Sequence, residues 1–468
     1  MRLHSFRIIL GVSVWGMLLS GCAGGGSSVS SSAAALPAGP RPASGQAVPE
    51  GKRRTLGAPT CSGTGTASFV GGGSQNVADA TDSAVLEGLQ NEVCDSYSSI
   101  GGGYNNYISD NGPGVEYSFI GGGGDNTVTS GGGYGVIGGG TSNAVSGGNY
   151  NAILGGNSNT VSGGDSVVGG GYGNTLSGSD SVIAGGSGNT LTSAARYGFI
   201  GGGNINTVSA QYGVTGGGNS NTVSGEYGVI GGGNTNTASG SAAVIGGGQG
   251  SYAEGAYATV PGGYDNNAAG ELSFAAGFKS YARYAGSFVW SDYASGATLL
   301  ESTAVNQFLA RATGGFTLWT NSTNSVGATL APGSGTWASA SDRNLKTDVA
   351  RIDDAAVLDK VASLPISRWS YKSEHGVRHV GPMAQDFYAA FGVGEDDKHI
   401  TSIDEDGVAL AAIKALHARV SFLDAEDAKL RARLTAENAT LHSRLAADEA
   451  HVRQVDAELA HIVAVLRK

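Results

Sequence analysis

The chain has 468 residues, 81 of them glycine, and a formal net charge of −11. Glycine stands at more than twice its usual share of about 7%, while charged residues, at 14%, fall well short of the usual quarter. There is no long Lys/Arg run, and phosphate binding needs clustered cations, so nucleic acid is excluded as a partner.

Taken from the N-terminus, Arg2 and Arg7 precede the apolar run IILGVSVWGMLL. The run is too short for a comfortable membrane span and has the pattern of a signal peptide. Leu19-Ser20-Gly21-Cys22 follows, and LSGC resembles the bacterial lipobox, whose cysteine is lipidated and becomes the first mature residue. The resemblance implies a lipoprotein signal peptide over 1–21 and a membrane anchor at Cys22. Ala23 beside it resembles the type sorted to the outer membrane, which implies an exported protein lipid-anchored at the cell surface. Residues 22–60 are rich in Gly, Ser and Pro, lack the apolar mass to fold, and read as a flexible tether. Cys61 and Cys94 are a candidate disulfide in an exported chain, with two free thiols as the alternative.

A repeat fills 61–287. YGFIGGGNINTVSAQ, YGVTGGGNSNTVSGE and YGVIGGGNTNTASGS are each 15 residues long. An apolar anchor position falls at Ile200, Thr215, Ile230, Ile245 and Val260, with looser copies running back through Ile183, Val168, Leu154, Ile137 and Ile120. A fixed short period over many copies means a solenoid. Glycine density and β-branched anchors exclude helix, so the expected turn has two short strands and glycine corners. Asn126, Asn143, Asn174, Asn189, Asn206, Asn221 and Asn236 each lie six residues after an anchor. Stacked turns would align them into a ladder of side-chain amides. Each turn buries few side chains, so a roll this narrow is expected to need neighbours, which points to an oligomer. No aromatic platform or pocket stands out to select a ligand. IGGGxxNTVSG resembles the head repeats of trimeric autotransporter adhesins, the YadA-like left-handed parallel β-roll. That resemblance implies a host-surface or glycan ligand. A calcium-binding nonapeptide array is excluded, because the period differs and aspartate does not recur in register.

Residues 288–340 have short alternating runs broken by Gly, Asn and Pro, and read as a small β connector. Beyond it charge density rises and helical patterns appear. From about Gly407, within the segment 407–468, Ile413, Leu416, Val420 and Leu423 keep a three-then-four spacing. Leu441, Leu445, Val452, Val455, Leu459, Ile462 and Leu466 resume it in a shifted frame, the pattern of a coiled coil with a stutter. Asn438 falls where it could fix the register of the seam.

The SDRNLK, GPMAQDF and SIDEDGVALAAIKAL motifs together resemble the S74 peptidase family, the intramolecular chaperone of endosialidases and tail fibres. The resemblance covers Ser341 to Lys468, with 341–406 as the chaperone core. It implies a homotrimer and a serine–lysine dyad that cuts the chain just before the serine. Carried onto this sequence, the nucleophile is Ser341, the base Lys346 and the cut bond Ala340–Ser341, with Asp342 and Gln385 in supporting places. A serine hydroxyl is a weak nucleophile until a base takes its proton, and a lysine is that base only when neutral. An ordinary lysine pKa is about 10.4, so neutrality near pH 7 needs about 4–5 kcal/mol from burial or a neighbouring cation such as Arg343. Residues five apart do not share a helix face, so a turn or an assembly of copies must bring the pair together. Asp342 orients the loop or pairs with Arg343. His375, His379 and His399 have no metal-ligand spacing, and neither metal nor cofactor is expected. The expected architecture is mainly β: a glycine-rich β-roll, then a small α+β chaperone domain and a long C-terminal trimeric coiled coil. The expected function is a surface lipoprotein fibre that trimerises and cuts itself. The alternative is an uncut trimeric adhesin or tail-fibre-like binder that keeps the C-terminal domain as a permanent stalk.

Overall fold

In a computed structural model, residues 65–109, 116–129, 133–294 and 298–467 are described. They fall into two units, one ending at Gly314 and one beginning at Gly315. Residues 1–64 lie outside the described set, and with them the signal peptide, Cys22, the tether and Cys61.

The first unit is a parallel β-solenoid. Each regular turn contributes two strands of two residues. Phe199–Ile200 pairs in parallel with Val214–Thr215, which pairs with Val229–Ile230, and these belong to one sheet. Thr207–Val208, Thr222–Val223 and Thr237–Ala238 stack in the same way in a second sheet. Single bridges at the corner between them, such as Asn204 to Asn219 to Asn234, make a third line of contact. In each strand one side chain points inward and the next outward. Ile183, Ile200, Ile230 and Ile245 form one fully buried column, and Leu176, Leu191, Val208 and Val223 form another.

The anchor in the turn before Val168 is Ile153, fully buried, and not Leu154, which is 62% exposed. The sequence carries two adjacent apolar residues there. The irregular spacing of the neighbouring copies hides which of them faces in. With Ile153 as anchor, Asn159 joins the asparagine column, and Asn91 and Asn106 extend it toward the N-terminus.

The column is a hydrogen-bonded ladder. Asn206 Nδ2 donates to Asn189 Oδ1 at 3.1 Å, and Asn221 Nδ2 donates in turn to Asn206 Oδ1 at 3.1 Å. The same Nδ2 of Asn206 reaches the carbonyls of Gly202 at 2.9 Å and Gly218 at 3.1 Å. One buried side chain therefore closes its own corner and ties it to the turns on both sides. Asn206→Ala should take away the partner of the Asn221 backbone amide and that of the Gly202 carbonyl, at about 1–3 kcal/mol for each buried group left without one. A thermal melt followed by circular dichroism should show a clearly lowered midpoint. Ser224→Ala, at an exposed position, should leave it within about 0.5 kcal/mol of wild type.

The triple-glycine corners are steric requirements. Gly203 sits at φ +87°, and a Cβ there would lie 2.1 Å from the Gly218 carbonyl oxygen. A Cβ on Gly201 would lie 2.4 Å from the Gly216 oxygen. Residues with a Cβ take positive φ as well: Tyr197, Tyr212 and Tyr227 at the opposite corner, at 59°, 56° and 58°, and Ile205, Ser220 and Thr235 beside the glycines. That conformation is costly for a residue with a Cβ. Here ring stacking between turns accompanies it. Tyr197 and Tyr212 lie 5.1 Å apart and Tyr212 and Tyr227 4.7 Å, all nearly parallel. Tyr97, Tyr117, Tyr134 and Tyr150 form a second stack. The solenoid thus has the aromatic platform that the sequence did not appear to offer.

The parallel ladder also runs past 287. Phe274–Phe278, Phe288–Ser291 and Phe308–Arg311 pair in order, with stacked Phe rings 4.5 and 4.8 Å apart. The strands lengthen here and the glycine corners stop, so the repeat fades from the sequence before it fades from the structure. Asp292 fastens the last of these turns by accepting from the Thr313 hydroxyl and amide, beside Arg311. The Thr313 hydroxyl, then its amide, hold the Asp292 carboxyl below the usual carboxylate range.

The second unit opens with a three-stranded antiparallel sheet of Phe316–Trp319, Gly327–Leu330 and Trp337–Ser339. A short 3-10 helix, Arg343–Leu345, follows. Helix α1 spans Asp354–Ser363, capped by Asp353. Ser367–Trp369 pairs antiparallel with His379–Gly381. Helix α2 spans Ala384–Phe391 and ends on Gly392 in the left-handed region, at φ +64°. Helix α3 runs from Ser402 to Leu466, 65 residues or roughly 100 Å at 1.5 Å per residue. It starts before Gly407, because Thr401 caps it by accepting from the Asp404 amide. Helix α1 packs on its first turns, where Ala411 and Ala412 are buried and Lys414 pairs with Asp354. Farther along, Leu441, Leu445, Leu459 and Ile462 are all more than half exposed.

Candidate active site

The segment that joins the antiparallel sheet to α1 holds the candidate dyad. Ala340 still belongs to the sheet: its amide donates to the Gly327 carbonyl at 3.1 Å. One residue later the chain leaves the sheet and enters the 3-10 turn. Asp342 is the turn's cap, accepting from the Asn344 amide at 3.0 Å and from Asn344 Nδ2 at 3.1 Å. The Leu345 amide donates to the Asp342 carbonyl and the Lys346 amide to the Arg343 carbonyl. That single tight turn folds residue 346 back over residue 341. Lys346 Nζ donates to Ser341 Oγ at 2.7 Å. The contact forms within one chain and needs no second copy.

The geometry is that of a nucleophile beside its base, within hydrogen-bond reach. Both side chains are exposed in the single chain, and so is Ala340. Of the two roles left open for Asp342, the turn-orienting one matches its contacts; it has no ion pair with Arg343 among the described residues. Asn344, which holds Asp342 from the other side, was not singled out in the sequence. Its only signal was its place between two candidate residues.

Gln385 lies exposed on the first turn of α2, and no described hydrogen bond links it to Ser341 or Lys346. The histidines lie elsewhere. His379 stacks on Trp369 at 4.7 Å and meets Glu374 at 3.1 Å. His399 meets Asp396, whose carboxyl is held below its usual range first by the Lys398 amide and then by His399. Among the described residues no group of three His, Cys, Asp or Glu is placed to hold a metal ion. Cys94 is disulfide-bonded, and its candidate partner Cys61 lies outside the described residues.

Fold and site together define a parallel β-solenoid chain that ends in a small β/α unit with a serine–lysine pair at its head and a long helix at its tail. Residues 341–392 match the Peptidase S74 family model, the chaperone of endosialidase. The matched segment begins at Ser341 and ends at the left-handed glycine that stops α2. No curated protein matches the chain.

Proposed function

We propose that the chain is a surface-anchored bacterial lipoprotein fibre that assembles as a trimer through α3 and then cuts itself at Ala340–Ser341. The observation that carries this reading is the 2.7 Å contact between Lys346 Nζ and Ser341 Oγ, at the first residue of the matched segment. In the proposed reaction Lys346 takes the Ser341 hydroxyl proton and Oγ attacks the Ala340 carbonyl carbon. The C–N bond breaks, the proton passes to the departing nitrogen, and an ester joins Ala340 to Ser341 Oγ. Water then hydrolyses the ester, leaving a carboxylate on Ala340 and a free α-amino group on Ser341. Each site works once, because residues 341–468 carry the catalytic pair away. Mass spectrometry of the full-length expressed protein tests this. Two pieces are expected, the smaller beginning at Ser341; a cut at any other bond removes the dyad from the reaction.

Trimer formation is supported by the uncovered leucine stripe of α3, since a helix of this length with an apolar seam buries it against other helices. It also supplies what the dyad lacks. A lysine base has to be neutral, and desolvation favours the neutral form. In the single chain both side chains are open to water, so the cover comes from neighbouring copies, and cutting waits for assembly. That same exposure favours a second reading, in which the dyad stays idle and the C-terminal unit remains as a stalk. An intact chain from a folded trimer would decide for it.

The anchor is read from Leu19 to Cys22, outside the described residues. Two or more acyl chains hold a protein stably at a membrane, whereas one gives marginal binding. Wild-type protein expressed with a fatty-acid analogue should carry the label in the membrane fraction, and Cys22→Ser should carry none. An unlabelled wild type sinks the anchor.

A further inference from the structure

The three-ring stack of Tyr197, Tyr212 and Tyr227 ends differently on its two sides. At one end Arg196 folds over the outer face of Tyr197, its guanidinium carbon 4.7 Å from the ring centre, while its Nε pairs with Asp180 at 3.0 Å. Asp180 holds the equivalent corner position one turn earlier, so the chain caps its own stack with a guanidinium clamped between a ring and a carboxylate. At the other end the corner position of the next turn is Ala242, and that of the turn after is Tyr257. The amides of Ala242 and Tyr257 donate to Glu226 and Ser241 one turn back, as that of Tyr227 donates to Gln211. All three residues share φ between 54° and 58°.

One ring is therefore missing from the row. Tyr227 and Tyr257 are two strand spacings apart, roughly 9.5 Å, and each has a face open over Ala242. Exposure follows the same account. Tyr212, covered on both sides, is 37% exposed and Tyr197, capped by Arg196, 39%; Tyr227 rises to 52% and Tyr257 to 59%. Glu226, next to Tyr227, is exposed and has no ion pair among the described residues. It precedes Tyr227 by one residue, the offset of Arg196 from Tyr197, and the Ala242 amide donates to its carbonyl.

We infer that the slot between Tyr227 and Tyr257, floored by Ala242 and rimmed by Glu226, binds a guanidinium group, an arginine side chain presented by a partner protein. The planar cation is about one ring thick and is attracted to ring faces. The carboxylate supplies the counter-charge, and the chain's net charge of −11 favours the approach of a basic segment. The internal precedent at Tyr197 shows the same three chemical parts in contact. A pyranose ring also fits such a gap by shape, but it is neutral: its hydroxyls could donate to Glu226 without the ion pair a guanidinium makes. The site stands on the solenoid alone and does not depend on whether the second unit cuts itself.

The test is titration of full-length protein with N-acetyl-arginine amide, followed by tyrosine fluorescence and by ligand-observed NMR, with the lysine amide and methyl glucoside as comparison probes. Saturable binding in about the millimolar range is expected for the arginine probe. Ala242→Tyr should abolish it by completing the row, at a corner where tyrosine is already accommodated in neighbouring turns. Glu226→Gln should weaken it about two- to fivefold, the range of an exposed ion pair. Arg196→Ala should uncover Tyr197 beside Asp180 and add a second site of similar affinity. Unchanged binding in both Ala242→Tyr and Glu226→Gln overturns the proposal, as does a preference for the glucoside or the lysine probe. Cleavage read on the same samples by gel reports on the second unit separately.

Discussion

Ser341→Ala should leave the full-length chain in one piece, folded and oligomeric, with the self-cutting rate down by ~10⁴-fold or more, the scale seen when a nucleophile or its base is removed from a unit that works as one. Lys346→Ala should do the same, because among the described residues no other side chain is hydrogen-bonded to Ser341 Oγ. Lys346→Arg keeps the charge and the length but should also fail, since a guanidinium stays protonated and cannot act as the base. Asp342→Ala is the graded case. It removes the cap that orders the 3-10 turn, worth about 1 kcal/mol, so cutting should slow about fivefold without stopping. The measurement is the fraction of intact chain over time by gel, with N-terminal sequencing of the small fragment. If Ser341→Ala is still cut at 340–341, the dyad is not the catalyst.

Leu445→Asp combined with Leu459→Asp should abolish the trimer and, with it, the cut. Both leucines lie on the stripe of α3 that nothing covers in the single chain. In a three-helix seam each aspartate meets its own copies, and a buried unpaired charge costs about 3–5 kcal/mol. Six such charges exceed the stability expected of an ordinary domain. Light scattering should report monomers, and the chain should stay whole although Ser341 and Lys346 are untouched. A monomeric wild-type precursor, or full cutting in the monomeric variant, would separate assembly from catalysis and defeat the link between them.

How far the sequence reached can be read from single residues. Where the 15-residue period is strict, as at Ile200, Ile230 and Asn206, the inward columns and the asparagine ladder follow directly, because one register satisfies every turn. Where insertions vary the turn length, two adjacent apolar residues compete, and the looser copies of the repeat point to Leu154 although Ile153 is the buried one. The tyrosine stack was visible only as the first letter of YGFI, YGVT and YGVI. A ring at a corner gains its partners from neighbouring turns, and propensity assigns tyrosine to strands, not to left-handed corners. The serine–lysine pair was legible as a motif, but its closure was not. Five residues of separation are compatible with many loops, and the deciding contact is the one between Asp342 and Asn344. The start of α3 moved from Gly407 to Ser402 because a threonine cap outweighs one glycine near a helix end.

The way one turn of the solenoid is fastened to the next has a mechanical meaning. The junction between the turn of Phe199 and the turn of Val214 is spanned by bonds from Phe199, Gly201, Asn204, Thr207 and Ser209, together with the amide of Asn206. Others cross it in the opposite direction, from the amides of Tyr212, Ser220 and Asn221 back to the Arg196 and Asn204 carbonyls and the Asn206 side chain. A pull along the stacking direction loads every bond of a junction at once and cannot open them singly, as peeling a strand from a sheet edge does. Successive junctions carry the same force in series, so the weakest sets the limit. Along the asparagine column of the described residues the longest backbone-amide rung is at Ser251, which accepts from the Asn266 amide at 3.4 Å where Asn221 accepts from the Asn236 amide at 3.0 Å. A tether under strain would yield there first, with the turns on either side still closed.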